Sequence, residues 1–530
     1  MTVADSASAG ARRVASLDPG GPSGLELVRL ARNGAASLGG AATAAVLGFV
    51  LAIVVSRGLD QLQAGIFFET VALFMILSNT TELGADTGLV RALPRLVSLG
   101  QLGDLRSTIA VALVPVLAAG AAAAAAVYLA AEPLTRVFMA GHEAGAQSLR
   151  ATAPFLVVAA ATTVAVSGTR GFGSVLPLVA ITNVGLPLVR PLLVAGVIAL
   201  SMGEVAASTA WAAPIPVAFA AGLLVLLHQL RATLRQGRVA GAGHAAIAPA
   251  RPLHTVAAEF WSFTAPRALA AVFEIALIWV DVLIVGAFLS PRWAAVYAAA
   301  SRFITAGTLG LSAIRISIAP RISVLLATHR VDEASYLHRV ACRWVVTLSW
   351  PLYLAIAVGA PLLLRVFGPR YTEGAAALRL LCLAMALSLA AGTIQTVLLM
   401  GGKSSWNLLN KAAAVVLNVG LNLVLVPRWG IDGAAVAWAA TILLDTVLAA
   451  AEVRLLLGIR TFDRGTVVVG LGAIACYGGL GLLLHQWGAA GIAGYLGFLV
   501  VATVLFAGVL WRFRQLLELW ALREAVRMPR

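Results

Sequence analysis

The chain has 530 residues, 60% hydrophobic and 12% charged, with 38 Lys and Arg against 23 Asp and Glu. Water-soluble domains run nearer a quarter charged, so a soluble fold is excluded. A transmembrane helix uses about 20 mostly apolar residues, which allows at most about 15 spans and leaves no room for a nucleotide-binding domain, an extracytoplasmic enzyme domain or a receptor ectodomain. The net charge of +15 reads as loop orientation against an inside-negative membrane. No basic run is interleaved with aromatics, so nucleic acid is not an expected partner.

Along the chain, a tail (residues 1–33) carries Arg12, Arg13, Arg29 and Arg32, and the first apolar stretch behind it reads as a retained helix without a cleavage site. Spanning-length apolar runs follow at 34–56, 64–83, 108–131, 151–168, 175–200 and 206–228. They form a first lobe, 34–228, closed by a basic, Ala/Gly/Pro-containing linker at 229–259. A second lobe, 260–457, holds runs at 260–289, 293–314, 344–364, 375–400, 406–426 and 434–457. Two further runs, 466–485 and 489–510, lie within 458–511, and a second tail covers 512–530. The expected fold is therefore all-α and polytopic, with about 14 transmembrane helices.

The charge asymmetry tests that count, since an error of one span inverts every later loop. With both termini cytoplasmic in an inner membrane, about 26 of the 38 Lys and Arg fall inside, about 7 outside and about 5 within spans. The inner segment 315–343 alternates apolar and charged residues, the pattern of an interfacial helix or of an ordinary solvated connection. Leu93-Pro94-Arg95-Leu96-Val97-Ser98-Leu99 resembles Ala319-Pro320-Arg321-Ile322-Ser323-Val324-Leu325, each at the inner end of the second helix of its lobe. Six helices per lobe would relate the lobes by an axis along the membrane normal.

Motifs for catalysis are missing. Gly402-Lys403-Ser404 lacks the first glycine of a Walker A loop, where Val397 stands, and no HExxH, GxSxG or Cys/His cluster occurs. Neither enzymatic activity nor a metal or cofactor is expected, and Cys342, Cys382 and Cys476 read as packing residues. The informative residues are charges inside the bilayer, each costing about 2.5–3.5 kcal/mol at a helix centre. Arg190, Glu274, Arg302 and Asp445 lie mid-span, while Glu69, Arg267, Asp281, Arg379, Lys411 and Glu452 lie nearer an end and can snorkel. Arg190 stands in Pro187-Leu188-Val189-Arg190-Pro191, where two prolines predict a broken helix. Arg267, Glu274 and Asp281 are seven apart, so they form one polar stripe that should face the interior.

From Gly392 onward the pattern Gly401-Gly402-Lys403, Asn418, Asn422, Leu425, Pro427, Gly430, Gly433-Ala434-Ala435 and Ala437 resembles the polysaccharide transporter family. These are the O-antigen and lipid-linked oligosaccharide flippases of the multidrug/oligosaccharidyl-lipid/polysaccharide exporter superfamily. Trp279-Val280-Asp281 through Gly286, Tyr297, Arg302 and Pro320 resembles its seventh and eighth helices, and Arg57-Gly58 to Gly65 its first two. The resemblance implies two six-helix lobes around a central cavity that opens alternately to each side, with two helices appended. It also implies a flippase moving undecaprenyl-diphosphate-linked oligosaccharide in the service of polysaccharide or lipopolysaccharide synthesis. Its partners would be membrane lipids, a polysaccharide polymerase and glycosyltransferases. On this reading Arg190, Arg302 and Arg267 are candidate substrate contacts, and Glu274, Asp281 and Asp445 candidate coupling or gating acids. Glu274 and Arg302, at similar depth on consecutive helices, are expected to form an ion pair. Two other readings stay open: an ion-coupled multidrug exporter of the same superfamily, and a non-transporting scaffold of a glycan assembly complex.

Overall fold

The computed structural model describes residues 24–241, 251–486 and 491–514, and every regular element in them is helical. Among the described residues, twelve helices are long and apolar enough to cross a membrane. One of them, Ser404–Leu457, has 54 residues and would be roughly 80 Å long if straight, more than twice a bilayer core. It turns back at Gly430, whose φ of 60° and ψ of −140° are open essentially to glycine alone. Residues on either side of that turn meet, Lys411 with Asp445 and Asn410 with Glu452, so the segment is an antiparallel hairpin, spans 11 and 12. Span 8 is interrupted between Pro291–Ser301 and Ile304–Ala327. Counting it and both arms of the hairpin gives about fourteen spans, as expected from the sequence.

The remaining spans are Gly24–Gly58 (1), Gln61–Ser98 (2), Asp104–Leu129 (3), Glu143–Gly171 (4), Leu178–Ala199 (5), Gly203–Gly237 (6), Leu253–Phe288 (7), Val331–Val358 (9), Pro369–Leu389 (10), Arg464–Leu483 (13) and Ile492–Arg512 (14). Two connections differ from expectation. The segment 315–343 is no separate interfacial helix, because span 8 runs to Ala327 and span 9 starts at Val331 after a three-residue turn. Much of 229–259 is helical as well: the helix of span 6 continues to Gly241 and span 7 begins at Leu253. In both cases charged residues lie where the helix extends beyond its apolar run, some of them in ion pairs such as Glu259 with Arg95 and Glu333 with Arg330. Residues 1–23 and 515–530, which hold most of the two expected tails, lie outside the described residues.

One apolar core runs through both halves of the chain, joining Phe67 and Phe74 of span 2 and Trp211 of span 6 to Val282, Tyr297, Tyr353 and Leu381 of spans 7 to 10. Inside a bilayer, helices associate through close packing and not through exclusion of water, so small residues mark the contacts. Ala294, Ala295, Ala298, Ala299 and Ala300 of span 8 are accordingly fully buried. A Cβ on Gly65 of span 2 would lie 1.8 Å from the Pro291 carbonyl oxygen, so only glycine fits this crossing.

The two ends of the bundle differ in charge and in closure. At the arginine-rich end, Leu93 packs on Gly171 and Leu102 on Gly237, which brings the ends of spans 2, 4 and 6 together. At the opposite end several contacts seal the two halves. Arg57 donates through Nε to the Val366 carbonyl at 2.8 Å and through Nη2 to the Arg365 carbonyl at 3.0 Å. Arg292 donates through Nε to Gln61 (2.9 Å), and its Nη2 reaches both carboxylate oxygens of Glu373 (2.8 and 2.9 Å). Phe49 meets Phe303 and Phe367 edge-on, with centroids 5.1 and 5.2 Å apart. On the topology expected from the Lys/Arg asymmetry, this sealed end would be the outer one.

Candidate functional site

The intramembrane charges fall into distinct settings. Asp281, 2% exposed, accepts hydrogen bonds from Tyr297 Oη (3.1 Å) and Asn422 Nδ2 (2.9 Å). It thus ties span 7 to spans 8 and 11, and the same Asn422 amide also donates to the Asn418 carbonyl at 2.9 Å. All its described partners are neutral. Asp445 lies instead in a buried ion pair, with Lys411 Nζ 2.7 Å from Oδ2, and that oxygen also accepts from Gln395 Nε2. Glu452 accepts from Asn410 Nδ2 at 2.8 Å. The hairpin of spans 11 and 12 therefore carries partners for three acids. Lys411 and Glu452, which could have snorkelled to the interface, are buried and paired with one another's helices.

The stripe on span 7 changes character along its length. Asp281 is enclosed near the outer end, while Glu274 and Arg267, on the same face by heptad spacing, are exposed. No hydrogen bond or ion pair from either is present among the described residues. Two charges left open on a transmembrane helix are tolerable against a water-filled space and costly against hydrocarbon.

Arg302 occupies the break in span 8. Its guanidinium lies 4.9 Å from the Trp279 ring centroid, and its buried Nε has no hydrogen-bond partner. The expected ion pair with Glu274 does not form. Arg302 turns to the aromatic ring of span 7, one and a half turns beyond Glu274, because the helix is interrupted at this residue. The break is held by a hydrogen bond from Tyr353 Oη of span 9 to the Ile304 carbonyl.

Arg190 stands apart in the N-terminal half. It donates through Nε to the Trp211 carbonyl at 3.1 Å, and its guanidinium sits 4.2 Å from the Trp211 ring centroid. The helix break predicted at its two prolines lies earlier, in a π-helical stretch at Leu178–Gly185, after which Leu186–Ala199 is α-helical through both rings. The reason is local. Pro187 falls in the first turn of the new helix, where its missing N–H leaves no intrahelical bond unmade, and the wider π register absorbs the shift just before it. Among the described residues no hydrogen bond or ion pair joins Arg190 to the other candidates.

Sequence position puts Glu69 of span 2 near a helix end, yet it is completely buried and neither carboxyl oxygen has a hydrogen-bond partner among the described residues. It abuts Gly286 of span 7, where an added Cβ would lie 1.9 Å from Glu69 Oε1 and 2.7 Å from the Phe138 carbonyl oxygen. Sequence reasoning had no signal for this contact beyond the glycine itself. All three cysteines are buried, and no group of His, Cys, Asp and Glu able to hold a metal occurs among the described residues.

This helical bundle, with halves meeting through spans 1, 2, 7 and 8 and with paired acids in its second half, shares its fold with solved membrane transporters. The chain is similar to the lipid II flippase MurJ in an inward closed conformation, with a TM-score of 0.68 at 13% identity over 89% of this chain and 97% of that one. It is also similar to an inward-facing multidrug resistance MATE transporter (TM-score 0.61, 14% identity, 78% and 94% covered) and to MATE in a bent conformation (0.52, 14%, 82% and 98%). No family model matches the sequence, and no curated protein matches it significantly.

Proposed function

We propose that this chain is a flippase that carries an undecaprenyl-diphosphate-linked oligosaccharide across the cytoplasmic membrane by alternating access. The observation that carries the phosphate part of the reading concerns Arg190, Arg302 and Arg267. None of the three has a carboxylate partner among the described residues. An intramembrane guanidinium without a counter-charge is costly, and guanidinium binds phosphate through paired donors, so an anionic substrate fits these positions. The shared fold with a lipid II flippase supports the lipid-linked class of substrate. The open Arg267 and Glu274 segment of span 7 would line the inward-facing cavity, while the sealed outer seam holds the opposite gate shut.

Energetics agree with transport that needs no nucleotide. Moving two diphosphate charges outward, down an inside-negative potential, releases about 4.6 kcal/mol per 100 mV. Asp281, buried against the hairpin, Asp445, buried within it, and Glu274 are the acids through which an ion could be coupled.

The similarity to MATE transporters, together with these acids, favours ion-coupled export of cationic compounds as the second reading. Proteoliposomes separate the two. With fluorescent lipid-linked oligosaccharide in the bilayer, the proposal expects the protein to bring the inner-leaflet pool within reach of a membrane-impermeant quencher, and Arg190→Lys to abolish most of that activity. Ethidium transport driven by a proton or sodium gradient, with no flipping above empty vesicles, would establish the second reading. Activity in neither assay would leave the scaffold.

A further inference from the structure

A cavity of about 330 Å³ opens at the arginine-rich end, between the last turns of span 2 and the first turns of span 7. It is remote in kind from the intramembrane acids, and no residue of the transport reading lines it. Arg91 and Arg95 enter from span 2, Arg251 from just before span 7, Glu259 from its second turn, and Phe260 and Phe263 supply apolar wall.

The charges in and around it can be paired off. Glu259 takes Arg95 on one oxygen (2.8 Å) and Arg251 on the other (2.9 Å). Arg251 is held in addition by Asp104, which accepts from its Nε at 2.5 Å and from its backbone N–H at 2.7 Å. These contacts raise the Arg251 pKa above its ordinary value, hydrogen bonding to Asp104 being the largest cause. Three guanidinium groups thus face two carboxylates, and the charge left over is that of Arg91. Arg91 stacks on the Phe263 ring, 3.8 Å from its centroid, and makes no described ion pair or hydrogen bond. Stacking occupies the face of the guanidinium and leaves its edge of N–H donors free.

The surroundings say where a ligand would come from. Span 7 begins at Leu253, so Phe260, Trp261 and Phe263 lie within its first three turns, close to the arginine-rich end of the bundle. Phe260 and Trp261 pack edge to face with centroids 5.3 Å apart. A basic, partly apolar pocket between transmembrane helices on the positive side of a membrane is suited to an anionic lipid head group. A phosphodiester carries one negative charge, equal to the single unmatched positive charge.

We infer that this cavity binds the phosphodiester head group of an anionic membrane phospholipid, with Arg91 as its main contact and the Phe260–Phe263 wall against the glycerol region. Because Arg91 and Arg95 belong to one half of the bundle and Glu259 and Phe263 to the other, the bound lipid spans the seam between them. The site is independent of what the protein transports.

The test measures lipid binding and thermal stability of the full-length protein in detergent, titrated with phosphatidylglycerol, phosphatidylcholine or inorganic phosphate. Phosphatidylglycerol is expected to bind and raise the unfolding temperature, and the other two are not. Arg91→Gln should weaken phosphatidylglycerol binding about tenfold, the loss of one charge-assisted contact, without lowering the unfolding temperature of the lipid-free protein. Arg106→Gln, an exposed arginine at the same end that does not line the cavity, should bind as the parent does. Equal binding of phosphatidylglycerol and phosphatidylcholine, or unchanged binding in Arg91→Gln, overturns the inference. Inorganic phosphate binding as well as the lipid overturns the membrane source and makes the cavity a site for soluble anions.

Discussion

The Lys411–Asp445 pair offers the sharpest test of how the second half is held together. Its side chains are 10% and 2% exposed, with Nζ 2.7 Å from Oδ2. Replacing Lys411 by Met keeps most of the volume but leaves Asp445 with Gln395 alone. Removing one member of a buried pair costs about 3–5 kcal/mol, whereas a neutral hydrogen bond between transmembrane helices averages only about 0.6 kcal/mol, so Gln395 cannot compensate. The folded-to-unfolded ratio should fall on the order of a hundredfold to a few thousandfold. Asp445→Leu alone should do the same by stranding the ammonium. The double variant Lys411→Met/Asp445→Leu removes both charges and should return to within about 1 kcal/mol of the parent. Equilibrium unfolding in mixed detergent and SDS micelles, followed by tryptophan fluorescence, measures all three. Single losses below about 1 kcal/mol, or a double variant equal to the sum of the singles, would refute the reasoning. If the double variant folds and transports, the pair is structural; if it folds without transporting, it belongs to coupling.

Three further outcomes follow from the packing. Gly286→Ala should lower the yield of folded protein because its methyl meets the Glu69 carboxyl, and Glu69→Ala in the same chain should recover part of the loss; thermal melts of the four proteins decide, and no recovery breaks the assigned contact. Gly65→Leu should wedge the outer seam against the backbone of Pro291, so a cysteine placed at Gln61 should react faster with an impermeant maleimide in intact cells. An unchanged labelling rate would mean that the seam closes elsewhere. Single cysteines at Asp60, Glu143 and Asp432 should label from outside and cysteines at Arg95 and Arg330 should not, as the charge asymmetry requires. Labelling of Arg330→Cys in intact cells would invert the topology.

What the sequence by itself determined is the bilayer-scale architecture. Apolar runs of spanning length and the bias of arginine toward alternate connections follow from the membrane acting as solvent, which acts on each segment separately, so no tertiary contact is needed to read about fourteen spans. The same holds for the turn at Gly430, where glycine and the following small residues permit a backbone that other residues resist. The tertiary structure alone decided the fate of each charge. Position along a helix ranked Lys411 and Glu69 together near span ends, yet one is paired across the hairpin and the other is buried without a partner. Depth also placed Glu274 beside Arg302, but the break in span 8 turns Arg302 onto Trp279. The prolines around Arg190 marked a disturbed helix without showing that a π register would absorb it one turn earlier. The cavity of Arg91, Arg95 and Arg251 was invisible because its members lie as much as 160 residues apart along the chain. Hydropathy and charge bias are sums over one segment, whereas an ion pair depends on the rotation of two helices about their own axes, and that rotation is set by how small residues such as Gly65 and Gly286 let neighbouring backbones approach.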